Sequence, residues 1–369
     1  MKSLFVAATG QNVGKTTTCL GLVSGLIRRH NSVGFIKPVG QEYIEVETGL
    51  HVDKDVLLFK SHFELSDPYE EMSPVLFPRG FTRDFLDGRI DHRALTGKIE
   101  QAHRAIAQRH AVTVIEGTGH TGVGSIVDLN NAQVAALLKA PVLLVASGGL
   151  GSSFDELTLN YFACEKFGAK VAGVILNRVL DSKRDMILDY VPKALARWNV
   201  PLLGCIPYTP FLSTPTMGDF EILFQTKMLA GAQHRVRHFQ SIRLVAGSVE
   251  MYRSQILSHE LIITPAIRED IILAALTKYW DSKIAHPNEE LELGLILTGK
   301  TPPKESIVEQ IRKAGWPVLY APLSSFAVMK MVNSYTSKFR KDDPLKIKEA
   351  IQVVETHIDF EKLGKALQL

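Results

Sequence analysis

Gly10-Gln11-Asn12-Val13-Gly14-Lys15-Thr16-Thr17 is a glycine turn that joins two segments of different hydrophobic period. The run before it, Leu4–Ala8, is continuously apolar, as expected of a strand that is buried on both faces of a sheet. The segment after it, Thr16–Arg29, repeats its apolar residues at helical spacing. This order of strand, turn and helix predicts the beginning of a parallel α/β sheet.

The turn combines the groups that proteins use to bind a polyphosphate. Its glycines allow backbone N–H groups to face an anion, and the helix that follows presents its unpaired N-terminal donors. Lys15 is placed to reach the outer phosphates, and the Thr16 hydroxyl is placed to coordinate Mg²⁺. The usual eight-residue pattern has glycine where this chain has Thr9, with Gly10 directly after it. We predict that residues 10–17 hold the phosphates of ATP or a related nucleotide, together with Mg²⁺.

Composition and charge restrict the class of protein. At 369 residues the chain exceeds the usual size of one hydrophobic core, which favours two domains. A net charge of +3 is too small to indicate a nucleic-acid or membrane partner, and no apolar run approaches the roughly 18 residues of a membrane-spanning helix. Three widely spaced cysteines indicate neither a disulfide framework nor a zinc site. The sequence predicts a soluble, cytoplasmic protein.

Short apolar runs alternate with helical patterns along most of the chain, which is typical of a parallel sheet with crossover helices. The strands predicted before the proline-rich stretch Pro207–Pro215 are Leu4–Ala8, Ser32–Ile36, Val112–Ile115, Val142–Ala146, Val171–Leu176 and Leu202–Ile206. Those predicted from Ser241 onward are Ile242–Ala246, Leu261–Thr264, Leu293–Thr298 and Val318–Ala321. We predict a nucleotide-binding domain over residues 1–235 and a smaller α/β domain over residues 241–360, which includes a helix at Pro344–His357.

Acidic residues at two places are candidates for the metal site. Glu116 directly follows the strand Val112–Ile115, and open α/β sheets bind ligands at the carboxyl ends of their strands. An acidic residue there can hold the metal or its water, although a solvated strand-end carboxylate gives the same pattern. Asp53 and Asp55 lie in the segment Gln41–Arg93, which interrupts the alternation and is predicted to be a long functional loop. They are candidates for a second metal contact or for the cap of a helix.

Three short segments give the first domain a family resemblance. They are Gly14-Lys15-Thr16, Lys37-Pro38-Val39 and Glu116-Gly117, in this order. Residues 1–210 resemble dethiobiotin synthetase and its phosphate-loop relatives, which include cobyrinic acid amide-forming enzymes. The turn Thr9–Gly14 is more similar to that in the synthetase-like N-terminal region of long bacterial phosphotransacetylases.

In those phosphotransacetylases a DRTGG domain follows, and residues 241–357 resemble it through Ile262–Asp270 and Leu297–Lys300. The resemblance implies a P-loop NTPase-like, mostly parallel sheet with flanking helices, followed by a smaller α/β DRTGG-like domain. The naming motif is altered, because Ala266-Ile267-Arg268 stands where the family has Gly-Asp-Arg. The chain ends at Leu369, so we expect no acetyltransferase domain and no acetyl transfer to phosphate.

The resemblance also implies roles for individual residues. Lys15 and Thr16 would contact the phosphates and the metal, and Glu116 with either Asp53 or Asp55 would complete the Mg²⁺ site. As in the synthetase, two such domains would pair across the nucleotide site as a homodimer.

Asn177 and Lys37 receive their roles from the same resemblance. Asn177, at the end of the strand Val171–Leu176, would read the nucleotide base, although a turn residue is the alternative. In the synthetase, the lysine that matches Lys37 helps to bind the substrate carbamate and the phosphoryl group. This makes Lys37, together with Lys15, the catalytic candidate.

Two functions follow from these residues. One is a nucleotide-responsive regulatory protein in which the second domain senses a metabolite or transmits ATP binding to a partner. The other is an ATP-dependent ligase or cyclase that phosphorylates a small carboxylate or carbamate substrate. The companion domain, and a glycine-rich stretch Glu116–Gly122 that departs from the synthetase pattern, favour the regulatory interpretation. A GTPase is disfavoured because Arg178 and Val179 follow Asn177 in place of a guanine-reading motif.

Overall fold

The computed structural model describes residues 2–46, 49–286 and 291–368. The chain forms two compact units, of which the second consists of Pro210–Lys338. The first contains the residues up to Thr209 together with those from Phe339 onward. The second unit is therefore inserted into the chain of the first.

Strands and helices alternate throughout the described residues. The strands are β1 Lys2–Ala8, β2 Val33–Ile36, β3 Val39–Gly40, β4 Tyr43–Glu45, β5 His51–Asp53, β6 Val75–Leu76, β7 Val112–Glu116, β8 Val142–Ser147, β9 Val171–Val179, β10 Leu202–Pro207, β11 Met228–Ala230, β12 Ser241–Leu244, β13 Glu260–Pro265, β14 Leu293–Thr298 and β15 Val318–Ala321. The helices are α1 Lys15–Ile27, α2 Lys54–His62, α3 Tyr69–Met72, α4 Phe81–Leu86, α5 His92–Arg109, α6 Asn131–Leu137, α7 Ser152–Lys166, α8 Arg184–Leu195, α9 Met217–Phe224, α10 Val249–Arg253, α11 Glu269–Ala285, α12 Glu305–Ala314, α13 Ser325–Ser334, α14 Pro344–His357 and α15 Phe360–Leu367.

A six-stranded sheet forms the centre of the first unit. Its order is β10-β9-β8-β1-β7-β2, and every neighbouring pair is parallel. The central strands are buried almost end to end, as their continuous apolar sequences predict. The predicted mostly parallel sheet with flanking helices is confirmed. Because all six strands run the same way, the turns after β1, β7 and β9 lie at one edge of the sheet.

The segment between β2 and α5 is more ordered than the predicted long loop. It contains two small two-stranded sheets, β3 with β6 and β4 with β5, and three short helices. Strands of two or three residues are too short to produce a period in the sequence, which is why the sequence predicts an end of the alternation there. One of these pieces, β5 followed by α2, carries both aspartates of the predicted metal site.

Helices α14 and α15 complete the first unit, not the second. Gly21 and Gly25 of α1 have no side chain, and this allows close packing. A Cβ at Gly21 would lie 2.3 Å from Val354, and one at Gly25 would lie 2.1 Å from the Phe360 ring. The predicted domain boundary at residue 360 differs from the structure for this reason, since helical period does not show which sheet a helix covers.

The second unit has its own five-stranded sheet. Its order is β11-β15-β14-β13-β12, parallel except for the antiparallel edge strand β11. Phe220 and Phe224 of α9 belong to the core cluster that also contains Leu261 and Ile263 of β13. Residues 210–235, predicted in the first domain, are therefore part of the second α/β unit, whose general class is as predicted.

None of the described helices has both the length and the apolar character that are needed to cross a lipid bilayer.

Candidate functional site

The glycine turn connects the end of β1 to the start of α1. The Thr9 N–H donates to Val145 O of β8 at 3.0 Å, which fixes the beginning of the turn on the neighbouring strand. Gln11 and Asn12 are exposed, whereas Val13 is buried. Gly14 caps α1 with a φ of 106°, in the left-handed region that favours glycine. The first N–H groups of a 13-residue helix therefore open onto this turn.

Lys15 reaches the loop after β7, and Thr16 reaches the last residue of that strand. The Lys15 ammonium donates to the carbonyl of Gly119, and the Thr16 hydroxyl donates to Glu116 Oε1 at 2.9 Å. Burial lowers the pKa of Lys15, an effect that the charge of Glu116 partly offsets. The structure thus brings together Lys15, Thr16 and Glu116, three of the predicted site residues.

Glu116 is the last residue of β7 and pairs in register with Val6 of β1. Only 1% of its surface is exposed, so it is not the solvated strand-end carboxylate considered above. Burial raises the pKa of Glu116 to about 8, and repulsion from Asp55 acts in the same direction. A carboxyl group buried beside a lysine and a threonine hydroxyl is a candidate for binding a cation.

Lys37, just after β2, lies between the two predicted aspartates. Its ammonium contacts Asp55 Oδ2 and lies 3.1 Å from Asp53 Oδ1. Burial by itself lowers the pKa of Lys37, but the neighbouring carboxylates, chiefly that of Asp55, raise it well above its ordinary value. The ammonium group is therefore charged and already neutralised by two acidic partners.

Asp53 has a second function as the cap of α2. Its carboxylate accepts a hydrogen bond from the Asp55 N–H at 2.9 Å, which is the helix-cap alternative of the sequence analysis. Burial raises the pKa of Asp53 to about 6, against the opposing effect of Lys37. One carboxylate thus caps a helix and neutralises a lysine.

The residues fit a nucleotide-linked Mg²⁺ better than a cage made of protein alone. Around the glycine turn, the described residues leave the carboxylate oxygens Glu116 Oε2 and Asp53 Oδ2 buried without a hydrogen-bond partner. The same residues contain no group of three acidic, His or Cys side chains that could hold a metal ion unaided. Mg²⁺ in phosphate sites needs only one or two protein oxygens, because phosphates and waters supply the rest. Thr16 and Glu116 would hold it, and the ion would supply charge neutralisation for the phosphates.

Asn177 lies beneath the glycine turn, near the end of β9. Its amide Nδ2 donates to Val13 O at 2.8 Å, and 4% of the residue is exposed. The amide nitrogen is thus bound to the turn itself. Base reading by this residue stays a prediction.

Asn131 is a site residue that the sequence analysis missed. Its side chain accepts from the Thr118 N–H at 2.9 Å and donates to the carbonyls of Thr118 and His120. Thr118 in turn donates to Val39 O. Together these bonds fix the loop whose Gly119 carbonyl contacts Lys15. At the first turn of α6 an asparagine resembles an ordinary helix cap, so no local pattern distinguishes Asn131 as a site residue.

Comparison with known proteins identifies a family for each of the two parts of the chain. A family profile described as AAA domain matches residues 2–216, and one described as DRTGG domain matches residues 223–335. Phosphate acetyltransferase of Pseudomonas aeruginosa is 29% identical over 382 residues, covering 98% of this chain and 52% of its own. That of Nitratidesulfovibrio vulgaris is 25% identical, covering 99% and 51%. The chain thus spans about half the length of these relatives.

A shorter relative matches the first unit. The ATP-dependent dethiobiotin synthetase of Bacillus subtilis subsp. natto is 29% identical over 211 residues, which cover 56% of this chain and 87% of the synthetase. The predicted resemblance to a synthetase-like phosphate-loop domain followed by a DRTGG domain is confirmed. By its family match and its phosphate-loop geometry, the chain belongs to the AAA domain family described by that profile, and it carries a DRTGG domain as well.

Proposed function

We propose that this protein binds ATP with Mg²⁺ at the turn Gly10–Thr17 and that it acts as a nucleotide-responsive regulatory protein. The observation that carries the proposal is the convergence of Lys15, Thr16 and Glu116 behind a glycine turn at the start of α1. A helix N-terminus with a lysine favours the phosphates, and a hydroxyl beside a buried carboxylate favours the metal. The second unit would then sense a metabolite or transmit the nucleotide state.

The alternative is an ATP-dependent ligase or cyclase, which the similarity to dethiobiotin synthetase supports. In that function Lys37 would bind the carboxylate or carbamate substrate. The contacts of Lys37 favour regulation, because its ammonium is already neutralised by Asp53 and Asp55. An anionic substrate would have to compete with both aspartates for the same cation.

Nucleotide binding is tested by titration calorimetry with ATP in the presence of Mg²⁺ and again with a chelator. Lys15→Ala should weaken binding at least tenfold under both conditions, because a charge-assisted hydrogen bond contributes about 1.5–3 kcal/mol. Thr16→Ala should weaken binding only when Mg²⁺ is present. Lys193→Ala removes an exposed lysine on α8 and should leave affinity unchanged. Equal affinity of Lys15→Ala and the unaltered protein would refute the proposal.

The two functions are separated by turnover. A regulatory protein should bind ATP with little phosphate release, whatever small carboxylate is added. Phosphate release in stoichiometric proportion to an added carboxylate, abolished in Lys37→Ala, would establish the ligase instead.

Homodimerisation and a cytoplasmic location stay predictions. Sedimentation with and without ATP would test the first of them.

A further inference from the structure

Asn177 is held by its backbone to the chain after β8 and by its side chain to the phosphate loop. Its backbone carbonyl accepts from the Gly148 N–H at 2.8 Å, which anchors this end of β9 to the chain leaving β8. Its side-chain amide donates to Val13 O at 2.8 Å. The amide is almost completely buried, so the contact is shielded from competition by water.

Gly14 also packs directly against this amide. A Cβ at Gly14 would lie 2.0 Å from Asn177 Nδ2 and 3.3 Å from its Cγ. The side chain therefore occupies the space directly beside the glycine that begins α1. Glycine at position 14 satisfies two requirements at once, a positive φ and the approach of this amide.

The Val13 carbonyl and the Gly14 N–H belong to one peptide group. In a trans peptide these two groups point in opposite directions. When Asn177 holds the Val13 carbonyl on its own side, the Gly14 N–H is directed away from Asn177. That donor is thereby oriented for an anion at the opposite edge of the peptide group.

We propose that Asn177 is a positioning residue of the phosphate loop, acting on the phosphates through the Val13–Gly14 peptide. The inference rests on the proposed nucleotide binding and adds to it how the loop is held in its binding shape. It has a specific consequence. Loss of the amide lowers the affinity even for a triphosphate that carries no base.

Titration calorimetry with three probes, each with Mg²⁺, tests this. The probes are ATP, inosine triphosphate, which has a carbonyl where adenine has an amine, and inorganic tripolyphosphate, which has no base. We expect Asn177→Ala to weaken binding of all three, and that of tripolyphosphate by about tenfold. Asn177→Leu keeps the approximate size of the side chain without the donor and should behave in the same way.

Two controls accompany the variants. Asn160→Ala removes another amide near the loop, one that donates to Thr9 O before the turn begins, and should leave tripolyphosphate affinity unchanged. Circular dichroism establishes that each variant is folded. If Asn177→Ala does not fold, Asn177→Leu, which has a side chain of similar size, carries the comparison.

Three results would contradict the inference, and they can be told apart. A base-reading residue would show a collapsed ATP to inosine triphosphate ratio and an unchanged tripolyphosphate affinity, which would overturn the inference and leave the proposed function intact. Unchanged affinities for all three probes would also overturn it. Failure of the unaltered protein to bind any of the probes would remove the proposed function and the inference together.

Discussion

Glu116 is a carboxyl group whose environment opposes its charge. The fold buries it beside Asp55, and the pKa rises from 4.5 to about 8. In the unfolded chain the same group ionises near its ordinary pKa. Between these two values the folded protein binds a proton that the unfolded chain has released, so the folded state loses stability as the pH rises.

We expect Glu116→Gln to become more stable relative to the unaltered protein as the pH rises from about 4.5 to 8, with no further gain above that. The glutamine keeps an oxygen that accepts from Thr16 but carries no charge. Urea denaturation at pH 5, 6, 7 and 8 without nucleotide measures the difference. A difference that is independent of pH would contradict the raised pKa.

Individual residues were predictable from sequence where a backbone pattern specifies them. A glycine turn fixes the position of Lys15 and Thr16, and the end of a strand fixes that of Glu116. The structure brings these three residues together. The partners of Lys37 were not foreseen, because ion pairs across 16 or more residues of chain leave no periodic trace. Asn131 was missed for the same reason, since its bonds are set by tertiary contact.

At the scale of elements, α1 depends on two glycines that would ordinarily weaken a helix. Gly21 lies against Val354 of α14 and Gly25 against Phe360 of α15. Glycine inside a helix costs about 1 kcal/mol relative to alanine, and close packing offsets this cost. The helix that carries Lys15 is thereby held by α14 and α15.

We expect Gly21→Ala to lower the free energy of unfolding by about 1–3 kcal/mol, because the added methyl group overpacks the contact with Val354. Gly97→Ala in α5 is the matched control, since a Cβ there meets nothing within 4 Å. It should raise the same free energy by about 0.5–1 kcal/mol. Urea denaturation followed by circular dichroism measures both. Stabilisation by both substitutions would show that α14 does not pack closely on Gly21.

Long elements were predictable because their hydrophobic period extends over several turns or a whole buried strand. Every strand of the six-stranded sheet was predicted, and α14 agrees with its predicted bounds. The segment between β2 and α5 was not, since pieces such as β3 and β6 contain two residues each. Their pairing depends on contacts that no local pattern encodes.

For the whole molecule, the division at Pro210 makes a prediction about independent folding. Residues 210–338 contain a complete sheet with α9 covering one face, so this segment alone should unfold cooperatively on heating. A segment from Ser241 to Lys338 lacks Phe220 and Phe224 and should show no sharp transition. Calorimetry of the two segments measures this. Cooperative unfolding of the shorter segment would support the boundary predicted from sequence.

The insertion of the second unit has a thermodynamic consequence for the first. While Pro210–Lys338 is folded, the span between its two ends is fixed, and this folded unit is the link from Thr209 to Phe339. If that unit loosens, the link becomes a long flexible loop, and its closure entropy opposes the docking of α14 and α15. A molecule that orders the second unit would therefore tighten the support of α1, and with it the phosphate loop, through chain entropy alone.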